Sequence, residues 1–87
     1  MTQHTHESHP QIYARLKRAH GHLAKVIDML NDQAPCTDIA QQLFAVEKAI
    51  TNAKRALIHD HIDHCLSPAN GAKETDVDDF KAITKYL

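Results

Sequence analysis

From Thr37 to Leu66 the chain runs for thirty residues without a glycine or a proline. Nothing that readily ends a helix interrupts this stretch. Within it Ile39, Leu43, Val46, Ile50, Ala53, Leu57 and Ile58 recur at spacings of three, four and seven, the repeat of one helical face. One long helix is predicted, extending roughly 45 Å at 1.5 Å per residue. The rest of the chain has to be arranged along it.

Before it, Met1 to Pro10 reads as a polar tail carrying His4, His6 and His9. A first helix is predicted from about Pro10 to Leu30, because proline suits the first turn and Ile12, Leu16, Ala19, Leu23, Val26, Ile27 and Leu30 form an apolar stripe. Gly21 lies inside it, as a close helix crossing or as a local loss of about 1 kcal/mol against alanine. The short connection Asn31 to Pro35 makes the first two helices antiparallel neighbours. After a loop from Ser67 to Asp76, a third helix is predicted from Asp76 to Leu87. Asp76, Asp78 and Asp79 stand in its first turn, where the helix dipole favours them, and Phe80, Ile83 and Leu87 form its apolar face. The expectation is a single all-α domain over residues 1–87, a three-helix protomer whose residues 1–9 are a histidine-bearing tail.

The chemistry-bearing residues sit at the two ends of the long helix. In His59-Asp60-His61-Ile62-Asp63-His64-Cys65 the four-residue offset places His61 and Cys65 on one helical face, a turn apart. His59 and His64 lack that offset and read as solvent-facing or supporting groups. Thiolate with imidazole selects Cu(I), Zn(II) or Ni(II) over the hard cations, and Cys36 would supply a third soft donor. Yet the 25 steps from Cys36 to His61 span roughly 37 Å along a helix, against about 2.0–2.3 Å for a metal bond. One chain cannot close such a site. Two antiparallel copies of the helix can, by bringing Cys36 of one chain to His61 and Cys65 of the other, and a dimer with two shared sites is expected.

A chain of 87 residues with 43% hydrophobic content and no Trp buries a marginal core alone, which also favours association. No apolar leader or stretch of about 18–20 apolar residues is present, so no membrane is expected and a cytoplasmic location is. There the two cysteines stay reduced, and metal or redox chemistry is favoured over a structural disulfide.

The net charge of −1 is unevenly spread. Residues 1–58 hold seven of the ten cationic residues, Arg15, Lys17, Arg18, Lys25, Lys48, Lys54 and Arg55, against five acids, whereas residues 59–87 hold three against six. In an antiparallel dimer the basic groups of both chains merge near the two-fold axis into a surface suited to phosphates. The alternative is an ordinary solvated helix face. Neither a helix-turn-helix nor a set of base-stacking aromatics is evident.

Three segments carry a resemblance. IYARLKRAHGHL from Ile12 to Leu23, Cys36 followed by DIAQQLFAV from Asp38 to Val46, and ALIHDHIDHC from Ala56 to Cys65 resemble the CsoR/RcnR family of bacterial metal-sensing repressors over nearly the whole chain. The resemblance implies an all-helical dimer that pairs into a tetramer, binds operator DNA without metal and is released when metal binds. It implies Cys36, His61 and Cys65 as metal ligands, and Arg15 and Arg55, helped by Lys17 and Arg18, as DNA-contacting groups.

The metal stays open at this point. An S, N, S donor set suits trigonal Cu(I) and resembles the copper-sensing branch. Nickel-sensing members add a histidine in the tail, and His4 stands at about the corresponding distance, so that a fourth nitrogen would permit planar Ni(II), or Co(II). Copper-sensing members tend to carry Tyr before the first Cys and Glu on the last helix, where this chain has Pro35 and Asp79; Asp79 and His64 are the expected supporting groups around the metal. His20 and His22 read as surface or packing residues, and Tyr13, Phe44, Phe80 and Tyr86 as core or interface.

Functions of other classes are a metal-buffering carrier without DNA binding and a thiol sensor of formaldehyde or persulfide acting through Cys36 and a partner's Cys65. The family's formaldehyde sensors resemble one another in having Pro after Met1, where this chain has Thr2. No enzyme is expected, since no oxyanion donors can be argued from these helices.

Overall fold

The computed structural model describes residues 8–65 and 74–87. It consists of α1 (His9–Asn31), α2 (Cys36–Cys65) and α3 (Glu74–Thr84). Among the described residues there is no strand. α1 and α2 lie antiparallel along most of α1, and α3 folds back on α2. The body is 54 Å long and 22 by 17 Å across, little more than two helices thick.

The helix limits differ from the predicted ones by one to three residues. α1 begins at His9, with Pro10 in its first turn, where its missing N–H leaves no carbonyl without a partner. α2 starts at Cys36, the N–H of Ile39 donating to the Pro35 carbonyl at 3.1 Å. α3 begins at Glu74, two residues before the predicted start, so Asp78 and Asp79 lie in its second turn. It also ends earlier. The Thr84 hydroxyl donates to the Lys81 carbonyl at 2.7 Å, and Tyr86 and Leu87 follow in tight turns that leave Leu87 exposed instead of on the apolar face.

The turn between α1 and α2 is a Schellman motif. The N–H of Ala34 donates to Met29 at 3.0 Å and that of Gln33 to Leu30 at 3.2 Å, the paired bonds that satisfy the last carbonyls of a helix. Gln33 takes the left-handed conformation this requires, with φ of 58°. Met29 and Ala34 also pack against the cluster of Val26, Ile39 and Val46, the apolar contact that accompanies the motif.

The core is narrow. Ile12, Ala19 and Val26 of α1 and Ile39, Val46 and Ala53 of α2 are buried, each set at seven-residue intervals, with Ile58 beyond. The rest of each predicted stripe is uncovered: Leu16, Leu23, Ile27 and Leu30 on α1, Leu43, Ile50 and Leu57 on α2. A single neighbouring helix covers only part of an apolar arc of 100° or more, so each helix buries one seven-residue row and leaves the other in solvent. Gly21 is exposed, and a Cβ built there meets nothing within 4 Å. Within the protomer it marks no close crossing, which leaves local destabilisation as its effect.

The backbone at two positions is open to a stability test. Gly21→Ala should raise unfolding stability by about 1 kcal/mol, since it removes helix-interior glycine without a clash. Gln33→Gly should add about 1 kcal/mol by relieving the left-handed side-chain penalty. Urea unfolding followed by helical circular dichroism reads both, and a loss of stability at either position would contradict the assigned backbone.

Candidate functional site

The unbroken α2 sets the geometry of the expected metal ligands. Cys36, its first residue, carries an exposed free thiol. His61 lies in the last turns and Cys65 is the final helical residue. The 25 residue steps separating Cys36 from His61 amount to roughly 37 Å of helix. Among the described residues no three His, Cys, Asp or Glu gather into a group able to hold a metal ion. One protomer therefore presents one of the three expected donors at one end of the helix and the other two at its far end. His4 lies outside the described residues.

At the far end of α2, α3 closes over His61. His61, Asp79, Ala82, Ile83 and Tyr86 line one cleft of about 340 Å³, so the fold brings together the imidazole and the carboxylate singled out in the sequence. His61 and His64 are half-buried and Asp79 is exposed. Tyr86 joins this cleft and is 65% exposed, a rim position and not a core one. Its place there depends on the turn after Thr84, which sequence periodicity does not reveal.

The basic residues divide between surfaces. Arg15 and Arg18 line a cleft of about 310 Å³ along the seam of α1 and α2, together with Ala19, His22, Ala49 and Asn52. Lys17 lies elsewhere, its Nζ 5.9 Å from the centre of the Tyr13 ring one turn earlier. Arg55 is exposed on α2 outside that cleft. His22 is half-buried, and its Nε2–H donates to the Gln42 side-chain oxygen at 2.6 Å, bridging the two helices. The sequence alone gives His22 only as a surface or packing group and does not mark Asn52. The available signal is the spacing of His22 behind Arg15 and Arg18, which sets all three along one side of α1.

On the other side of the seam, Leu23, Leu43, Phe44, Val46 and Ile50 line an open apolar groove. No helix among the described residues is long and apolar enough to cross a membrane.

Several known proteins are similar to this chain. The copper-sensing transcriptional repressor CsoR of Mycobacterium ulcerans is 36% identical over 74 residues, covering 83% of this chain and 63% of the relative. CsoR of Bacillus subtilis is 36% identical over 81 residues, 86% of this chain and 80% of the relative. The copper-sensing transcriptional repressor RicR of Mycobacterium tuberculosis is 29% identical over 55 residues, 63% of this chain and 57% of the relative. The chain thus spans roughly half to two thirds of the length of its mycobacterial relatives. No solved structure matches it significantly. Residues 8–86 match the family of metal-sensitive transcriptional repressors along nearly all of the chain, and the chain belongs to that family.

Proposed function

We propose that the chain is a copper-responsive repressor of the cytoplasm, which holds operator DNA without metal and releases it when Cu(I) binds Cys36 of one protomer with His61 and Cys65 of another. One observation carries this reading. The uncovered row Leu43, Ile50 and Leu57 is centred on residue 50, midway between the two cysteines. Two copies of α2 packed antiparallel about a two-fold axis at Ile50 set Leu43 against the partner's Leu57. The same register sets position 36 against position 64, between His61 and Cys65. Burial of the apolar row and completion of the donor set thus require one arrangement.

The donor chemistry supports copper. Two thiolates and an imidazole suit a soft d¹⁰ ion in three-coordination, and the relatives in Mycobacterium ulcerans and Bacillus subtilis are named as copper sensors. Asp79, in the cleft with His61, is suited to orient the ring as a hydrogen-bond acceptor. Nickel or cobalt would call on His4 as well, and the three-donor set needs no such addition. The basic cleft at Arg15 and Arg18, with Lys17 and Arg55 exposed outside it, supplies positive charge for DNA phosphates. Metal and DNA are coupled because the ligands join two protomers: filling the site changes how the protomers sit, and with that the spacing of their basic clefts. The remaining apolar rows of α1, Leu16, Leu23 and Leu30, offer surface for a dimer of dimers.

Cys36→Ala and Cys65→Ala should each abolish tight Cu(I) binding, because every site in either homodimer is damaged. Mixing the two variants under subunit exchange should restore one tight site per heterodimer, at the rate of exchange. Anaerobic Cu(I) titration against a competing chelator reads the stoichiometry. If exchange is demonstrated and no tight site returns, the shared site is wrong.

Arg15→Ala and Arg55→Ala should leave Cu(I) stoichiometry intact and weaken DNA binding. The slope of log affinity against log salt should become shallower by about 0.9 for each phosphate that the variant no longer neutralises. Unchanged affinity and slope in both variants would refute the assignment of these arginines.

A further inference from the structure

The cleft between α1 and α2 differs from a simple solvated basic face. Arg15, Arg18 and His22 stand on α1 at intervals of three and four and all line it, with Asn52 opposite on α2. Its remaining lining is Ala19 and Ala49, whose small side chains leave room between the two helices. Among the described residues no carboxylate lines it. Every functional group around the space can present an N–H: two guanidiniums, an imidazole and an amide. His22 is held at the seam by the bond from its Nε2–H to Gln42, so it is as the doubly protonated imidazolium that its Nδ1 donates to an anion. Two forked cations beside an amide donor match a tetrahedral oxyanion.

We infer that Arg15, Arg18, His22 and Asn52 form a pocket for a single phosphate group, one per protomer. The group is a phosphodiester of bound duplex or a free inorganic phosphate. In the first case the inference rests on the repressor reading and adds His22 and Asn52 to its contacts; in the second it stands without it. Guanidiniums on an open face attract any phosphate nearby, whereas a pocket with a fixed imidazole and a facing amide fixes the position of one. A phosphodiester held there would set the register of the protein on the duplex, while carrying no sequence information.

The test uses the full chain without metal, with Asn52→Leu, Asn52→Asp and Arg18→Gln variants. Asn52 and Arg18 are exposed, and helical circular dichroism checks that the variants fold. Inorganic phosphate is compared with chloride at equal ionic strength by its effect on thermal unfolding, and a random-sequence duplex is titrated at low salt by fluorescence anisotropy. Phosphate should raise the unfolding temperature of the wild type more than chloride does. It should lose that advantage in all three variants, and duplex affinity should fall roughly tenfold in Asn52→Leu and further in Asn52→Asp. Loss of the phosphate effect with duplex binding unchanged would support the pocket with a free oxyanion as its occupant. Weakened duplex binding without any phosphate effect would support it with the phosphodiester as occupant. A wild type that binds phosphate and no duplex would defeat the repressor reading and leave the pocket standing. Neither a phosphate-specific effect nor a change in duplex affinity in any variant would overturn the inference.

Discussion

The hydrogen-bonded ladder of α2 is the constraint from which the rest follows. It runs unbroken from Cys36 to Cys65 and acts as a ruler, holding the two thiol-bearing ends roughly 43 Å apart. A break near its middle would let a single chain fold its sulfurs together, and the protein would need no partner to bind a soft metal. Because the ladder has no such break, metal affinity and assembly become one problem in the proposed site. The same rigidity lets a change at one end of α2 be felt along its length, since packed helices shift as bodies and do not stretch.

Packing links the ruler to the assembly. Each of the two long helices has an apolar arc wider than one neighbour can cover, and within the protomer the rows at Ile12, Ala19 and Val26 and at Ile39, Val46 and Ala53 are buried, with Ile58 beyond them. At about 25 cal/mol per Å² of apolar surface removed from water, so thin a core has little margin over the conformational entropy of ordering the chain. The residues at its centre, Ala19 and Ala53, are small. The same economy opens the basic cleft beside them, where Ala19 and Ala49 leave space.

Much of this is legible in the sequence, for physical reasons that differ between elements. α2 is evident because the absence of Gly and Pro and a sustained apolar repeat point the same way. Its first turn is placed within one residue because Pro35 cannot continue a helix backwards. The α1–α2 turn can be located but not typed: the left-handed position is Gln33, and the usual glycine signal is missing. The apolar stripes can be identified, yet which row faces α1 cannot, since a helix with two unsatisfied apolar rows has no internal preference between them. His61 and Asp79 stand out in the sequence, and their common cleft needs the return of α3, for which periodicity gives no angle. Arg15 and Arg18 are found by charge, whereas His22 and Asn52 escape because a lone polar residue on a helix has no pattern until the opposing helix is in place.

Coupling in the proposed repressor has to run in both directions. If Cu(I) lowers the affinity for DNA by some factor, bound DNA lowers the affinity for Cu(I) by the same factor, as linkage requires of equilibrium binding. A typical coupling of about 1–3 kcal/mol corresponds to a 5- to 150-fold change, well within what a few neutralised phosphates supply through counterion release. The metal site therefore need not dismantle the dimer to act. Displacing two basic clefts by a fraction of the distance between successive phosphates is enough to pull both protomers out of register with the duplex together. With the proposed ligands at the two ends of α2, a local coordination change acts along the whole helix that carries one wall of those clefts.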